Sequence, residues 1–193
     1  MDSVKIGLIG LGTIGTGVAK TLLENTALLE ERLGFSLDLT AIADIDITKD
    51  RGVSIPRNML TTDAYAIINN PDVDIVVELI GGIEPARTFI LDSLKAGKHV
   101  VTANKALLAS KGKELFDAAQ TCGRDLYYEA SVGGGIPIIK TLRESLIANN
   151  FVFIYGILNG TCNFILTEMS EKGSSLEDTL RQAQEPGDAE ANP

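Results

Sequence analysis

Short continuous apolar runs alternate along the chain with longer stretches in which apolar residues recur at helical spacing. Val4 to Gly10 (VKIGLIG) is the first run, and after it Ile14, Val18, Leu22, Leu29 and Leu33 recur at helical intervals until Gly34 stops the pattern. One strand and one long helix are predicted there. Leu37 to Ala43 (LDLTAIA) reads as a second strand, Thr62 to Asn69 as a short helix, and Asp74 to Gly81 (DIVVELIG) as a strand covered on both faces. A helix from about Pro85 to Ala96, a strand holding Val100 and Val101, a helix to about Thr121 and a strand from Asp125 (DLYYEASV) complete the alternation.

Apolar strands alternating with helices imply an α/β fold built on a doubly wound parallel sheet. The rhythm changes at GGGIPIIKTLRESL (Gly133 to Leu146), where glycines and Pro137 interrupt it. A β run FVFIYGIL follows, then helices from about Thr161 and Leu176. The expected boundary lies near Gly135, giving a first domain over 1–135 and a second region over 136–193.

Composition narrows the function classes. With 193 residues, 45% of them hydrophobic, the chain can bury one substantial core. Its net charge is −9 with the basic residues scattered, so neither nucleic acid nor an anionic membrane is an expected partner. No apolar run approaches the roughly 20 residues that span a bilayer, and MDSVKIGLIG lacks the features of a signal peptide; the expected location is the cytoplasm. Cys122 and Cys162 are far apart and there is a single histidine, which leaves no disulfide framework or Cys/His zinc site to propose. Both cysteines are expected as small buried hydrophobes.

Gly10, Gly12 and Gly15 form G-x-G-x-x-G between the first strand and the first helix. Glycines there permit a tight turn, close approach of the backbone to a pyrophosphate, and close helix packing, while the helix start attracts phosphates. That context favours a Rossmann-type dinucleotide-binding domain over an ordinary strand-to-helix turn. Asp44 ends the second strand, where a carboxylate can accept from ribose hydroxyls; a solvated strand-end acid is the competing reading, and Asp46 competes for the same role. No arginine directly follows, which favours NAD over NADP unless Lys49 or Arg51 folds back.

In HVVTANKALLAS, Lys105 falls where a buried strand hands over to a helix, at the end of a sheet where ligands collect. It is either a solvated residue of the first helical turn or a cation held over a substrate oxygen. His99 has no acid or metal partner in its motif and reads as structural.

The segments GLIGLGTIGTGV, VVELIGG, HVVTANKALLA, YEASVGGGIPII and GILNGTCNFILTEM occur in the order and spacing of homoserine dehydrogenases, and the similarity runs from Val4 to the last residue. The chain resembles that family as the cofactor-binding part, with 136–193 as the incomplete start of its α+β substrate and dimerisation domain. The resemblance implies NADP- or NAD-dependent interconversion of L-homoserine and L-aspartate 4-semialdehyde, in threonine, methionine and isoleucine biosynthesis, by a protein that is a homodimer at full length. It places Lys105 at the nicotinamide and substrate end, and Thr13, Ile14 and Thr102 among the cofactor contacts. It also implies a monovalent cation, sodium, on backbone carbonyls at Glu129, Val132, Gly134 and Ile136. Glu190 would hold the substrate amino group, although Pro186, Asp188 and Asn192 depart from the pattern around it. LNGTCNF reads as a strand-to-helix turn capped by Thr161. The family's pattern continues past AEANP with an aspartate and a proton-transferring lysine, so the sequence reads as truncated and, alone, inactive. Two alternatives stay open: a nicotinamide-dependent oxidoreductase of another small carbonyl compound, and a non-catalytic nucleotide-binding module.

Overall fold

A computed structural model describes residues 3–158 and 160–184. Two compact units divide the chain, Met1–Gly134 and Gly135–Pro193.

The first unit runs β1 (Ser3–Ile9), α1 (Thr13–Glu24), α2 (Thr26–Leu33), β2 (Ser36–Ala43), β3 (Leu60–Thr61), α3 (Tyr65–Ile68), β4 (Ile75–Glu78), α4 (Ala86–Lys95), β5 (His99–Thr102), α5 (Lys105–Cys122) and β6 (Leu126–Tyr127). All five strand pairings are parallel, in the order β3-β2-β1-β4-β5-β6. This is the doubly wound, Rossmann-type sheet that the alternation predicts. From β1 the chain winds outward to β2 and β3, then returns past β1 to β4 and winds the other way. The order therefore reverses between β1 and β4, the place where such sheets open a crevice at their carboxyl ends.

The period of two explains the burial. Leu8, Ile42 and Val77 pack in one cluster with Ala19 of α1, while their neighbours Ile9, Ala43 and Val76 pack in another with Ile67 and Ile68 of α3. Adjacent residues point to opposite faces, so these strands are apolar throughout because both faces are covered. A third cluster joins Val100 and Leu126 to Ile90 and Leu94 of α4 and Leu107 and Leu115 of α5.

Two local expectations in the first unit are corrected, and one strand lies outside them. The long helix over Ile14–Leu33 is broken at Asn25, which closes α1 with its N–H on Thr21 O and opens α2; Gly34, at φ 77°, ends α2 as expected. The strand from Asp125 is only two residues long, pairing with Val100 and Val101 at the sheet edge, before the chain turns into a 3-10 segment at Glu129–Ser131. The β3 strand, after a 3-10 turn at Arg57–Met59, went unread because two residues carry no periodicity.

In the second unit a short helical segment α6 (Ile138–Lys140) continues as a π-helical turn at Thr141–Ser145, and α7 (Gly160–Lys172) and α8 (Leu176–Gln184) pack together. Ser175 caps α8: its Oγ accepts the Asp178 N–H at 3.1 Å and donates to the Asp178 carboxylate at 2.8 Å. FVFIYGIL forms no strand. It has no paired neighbour among the described residues, and Val152 and Tyr155 are 94% and 95% exposed. Because α7 begins at Gly160, Thr161 lies inside the helix and is not its cap. Among the described residues no helix is long and apolar enough to cross a membrane.

Candidate cofactor site

The three loop glycines meet different constraints. Gly10 leaves β1 at φ 103°, and a Cβ there would lie 2.7 Å from the backbone of Leu79; its N–H donates to Ala43 O at 2.8 Å. Gly15 is buried, and a Cβ on it would stand 2.0 Å from the carbonyl oxygen of Gly10, so α1 seats against β1 only without a side chain. A Cβ on Gly12, by contrast, would meet nothing within 4 Å. Packing in this chain does not require that glycine. No side chain caps the start of α1 and no acid occupies its first turn. Thr13 and Ile14 are exposed there, Ile14 by 61%. Amide groups and the positive end of the helix dipole thus face the crevice.

Asp44, just past β2, is not a solvated acid. Its Oδ2 accepts the Leu11 N–H at 2.5 Å, and its Oδ1 accepts the Asp46 N–H at 2.9 Å and Arg51 Nη2 at 3.3 Å. The side chains of Asp44 and Arg51 are only 12% and 15% exposed. Arg51 therefore does fold back onto Asp44, the exception left open where no arginine directly follows the strand. Asp46 is turned onto its own loop, where the Thr48 hydroxyl donates to it at 2.8 Å and holds its carboxyl below the ordinary carboxylate range, helped by the Thr48 N–H.

A cleft of about 720 Å³ opens at the carboxyl ends of β1, β2 and β4, within the size range of small-molecule sites. Gly10, Gly12 and Asp44 line one part of it. Tyr65 and Phe89, edge to face with centroids 5.6 Å apart, line an apolar part. Sequence reasoning missed both aromatics, since on helices they read as ordinary core residues.

At the end of β5 a buried polar chain fixes the start of α5. Thr102, fully buried, donates its hydroxyl to Glu78 Oε2 at 2.7 Å and accepts the Asn104 N–H at 3.0 Å. Asn104 in turn donates from Nδ2 to Gly82 O at 2.7 Å and caps α5 by accepting the Leu107 N–H at 3.1 Å. Lys105 is the first residue of α5 and is exposed, just past the carboxyl end of β5, and it is not among the residues that line the cleft. The side chain of Thr102 is thus committed inside the protein. Glu78, with 0% exposure, was also missed; the signal was a carboxyl set inside the apolar run DIVVELIG.

His99 Nδ1 accepts the Asp125 N–H at 3.1 Å, a structural role. Cys122 packs against the α4–α5 cluster, whereas Cys162 is exposed, contrary to the buried role expected of it. Of the carbonyl positions expected for a cation, Glu129 opens its 3-10 turn, Val132 is extended, Gly134 ends the first unit, and Ile136, in the second, has its carbonyl accepting the Ile138 N–H at 2.8 Å. Glu190, with Pro186, Asp188 and Asn192, lies outside the described residues.

Residues 10–129 match the family model for the NAD-binding domain of homoserine dehydrogenase, and residues 137–193 match the homoserine dehydrogenase model. The chain is 45% identical over 193 residues to the homoserine dehydrogenase of Bacillus subtilis, covering all of this chain and 45% of that one. It superposes on the crystal structure of a homoserine dehydrogenase from Thiobacillus denitrificans with a TM-score of 0.88 at 46% identity, over 99% of this chain and 44% of that one. A hyperthermophilic archaeal homoserine dehydrogenase solved in complex with NADPH matches with a TM-score of 0.79 at 27% identity, over 99% of this chain and 63% of that one. The chain spans less than half the length of the two bacterial relatives. On two family models in register and this structural likeness, the chain belongs to the homoserine dehydrogenase family.

Proposed function

We propose that this chain is the cofactor-binding part of a homoserine dehydrogenase that interconverts L-homoserine and L-aspartate 4-semialdehyde with NADP or NAD. The observation that carries the reading is Gly12, a glycine that packing does not need, set at an uncapped helix start on a cleft at the sheet's reversal point.

A bound nicotinamide dinucleotide supplies the hydride donor or acceptor. This chain's own groups bind and orient. The loop amides of Gly10 to Gly15 and the start of α1, with Thr13 and Ile14, receive the pyrophosphate; Asp44 braces that loop from β2. The apolar part of the cleft at Tyr65 and Phe89 suits the adenine ring. Lys105, presented by the Glu78–Thr102–Asn104 chain, binds the substrate oxygen and stabilises negative charge as it develops there. Glu190 as the ligand of the substrate amino group, sodium on the carbonyls of Glu129, Val132, Gly134 and Ile136, and a homodimer belong to the proposal through the resemblance alone; a cytoplasmic location is part of the same proposal. The domain limits, 1–135 for the cofactor and 136–193 for the start of the substrate region, are part of the same reading.

The test is NAD(P)H formation from L-homoserine by a protein joining this chain to the further length its relatives have. Turnover that Lys105→Ala lowers by on the order of a hundredfold or more, the scale of one preorganised electrostatic contact, supports the reading. Turnover indifferent to that change removes Lys105 from the site.

A further inference from the structure

Among the described residues Glu78 is the only fully buried acid, and no lysine, arginine or histidine pairs with it. Its partners are both donors. Oε1 accepts the Ile80 N–H at 2.8 Å and Oε2 accepts the Thr102 hydroxyl at 2.7 Å; Thr102 Oγ already accepts the Asn104 N–H, so its own hydrogen is available to Glu78. Two oxygens that both accept are the pattern of an ionised carboxylate. A buried charge without a counter-ion is costly, whereas tying two loops together needs only a neutral amide side chain. The hydrogen bonds alone therefore leave the charge unexplained.

Its place is specific. Glu78 ends β4 and is registered against Thr102, the last residue of β5. In a doubly wound sheet the half built on β1 receives the adenosine and the half built on β4 receives the second nucleotide, which in the reading above carries the nicotinamide. Ile80, whose N–H the carboxylate holds, lines the cleft, as do Leu79 and Gly81. The charge thus stands directly behind the cleft wall with protein around it. Coulomb interactions there are several-fold stronger than in water. Lys105, past the end of β5, is exposed, so solvent screens its charge more.

The nicotinamide ring is cationic when oxidised and neutral once it has accepted a hydride. Phosphate charges are common to both forms, so their repulsion from Glu78 cancels when the two are compared. Resting on the dinucleotide reading above, we propose that Glu78 sets the redox preference of the site: its buried charge holds the oxidised, cationic ring more tightly than the reduced one. The bound reduced cofactor is then the better hydride donor, and the site favours reduction of the aldehyde carbon over oxidation of the alcohol.

The test is calorimetric titration of the chain with NADP⁺ and with NADPH, repeated on Glu78→Gln, which keeps the length and an acceptor for the Ile80 N–H while removing the charge. The ratio of the two affinities is the readout. The unmodified chain is expected to bind NADP⁺ more tightly than NADPH, and Glu78→Gln, folded by circular dichroism, should shift the ratio toward NADPH by about tenfold, the scale of one charge interaction across a protein interior. A side chain that only held the loops would weaken both forms equally, and an unchanged ratio in Glu78→Gln overturns the proposal. If Glu78→Gln does not fold, the unmodified chain decides alone: equal or tighter binding of NADPH overturns the proposal. Where both forms bind and the ratio goes against Glu78, the dinucleotide reading stands and this inference alone falls; if neither form binds, both fall.

Discussion

Asp44 Oδ2 accepts the backbone N–H of Leu11 at 2.5 Å, tying the end of β2 to the glycine loop at the end of β1. Leu11 is only 2% exposed, so its amide has little access to water if the carboxylate is removed. Asp44→Ala should destabilise the chain by about 1–3 kcal/mol, the penalty for a buried group left unpaired. Asp44→Asn keeps an acceptor for Leu11 and should cost less. Urea unfolding of both variants measures the difference, and equal losses would mean that the Leu11 bond contributes nothing.

Gly12 and Gly15 should behave oppositely under the same substitution. Gly15→Ala forces a methyl to within 2.0 Å of Gly10 O and should cost about 1–3 kcal/mol, typical of overpacking. Gly12→Ala enters open space and should stay within about 0.5 kcal/mol. Thermal unfolding of the two variants is the check; similar losses would contradict the steric assignment.

Lys105 and Glu78 form a second contrasting pair. Lys105 is exposed in the first turn of α5, where a cation opposes the helix dipole, so Lys105→Ala should leave the melting temperature nearly unchanged. Glu78→Ala leaves the Thr102 hydroxyl and the Ile80 N–H without their acceptor, at about 1–3 kcal/mol each. A Lys105→Ala protein as unstable as Glu78→Ala would make Lys105 a structural residue.

The fold was legible because alternation of buried strands and amphipathic helices is a property of many residues at once, and DIVVELIG or VKIGLIG declares two-sided burial without reference to distant sequence. The glycine loop was legible for the same reason: its spacing and its place between strand and helix agree. Arg51 was not, because its return to Asp44 depends on the path of an irregular loop with no periodicity. Glu78 was hidden by the apolar run that buries it, since its partner Thr102 lies on a different strand. FVFIYGIL misled in the other direction: β propensity describes what a segment can pair with, and a strand forms only where a neighbour supplies the hydrogen bonds.

An ion pair between α4 and α5 carries a pH dependence of known sign. Arg87 donates to Glu84 and, from two nitrogens, to Glu114; the hydrogen bonds from Arg87 hold the Glu114 carboxyl below the ordinary carboxylate range. A carboxyl depressed in the folded state contributes stability above its unfolded value, about 4.3, and loses that contribution as pH falls through its lower folded value. The pair is partly exposed, so the effect is small. The melting-temperature advantage of the unmodified chain over Glu114→Gln should be present at neutral pH and vanish as the pH falls below the ordinary carboxylate range; an advantage that grows on acidification would contradict the assignment.

Whether the loop from Gly10 to Gly15 holds a nicotinamide dinucleotide is decided most directly by titrating NADPH into the unmodified chain and into Gly12→Val, followed by calorimetry with circular dichroism to confirm the fold. A side chain at Gly12 has room in the protein but stands where the pyrophosphate must lie. The expected result is saturable binding with one site per chain, weakened by at least about tenfold in the folded Gly12→Val protein. Unchanged affinity in that protein would place the cofactor elsewhere and contradict the site.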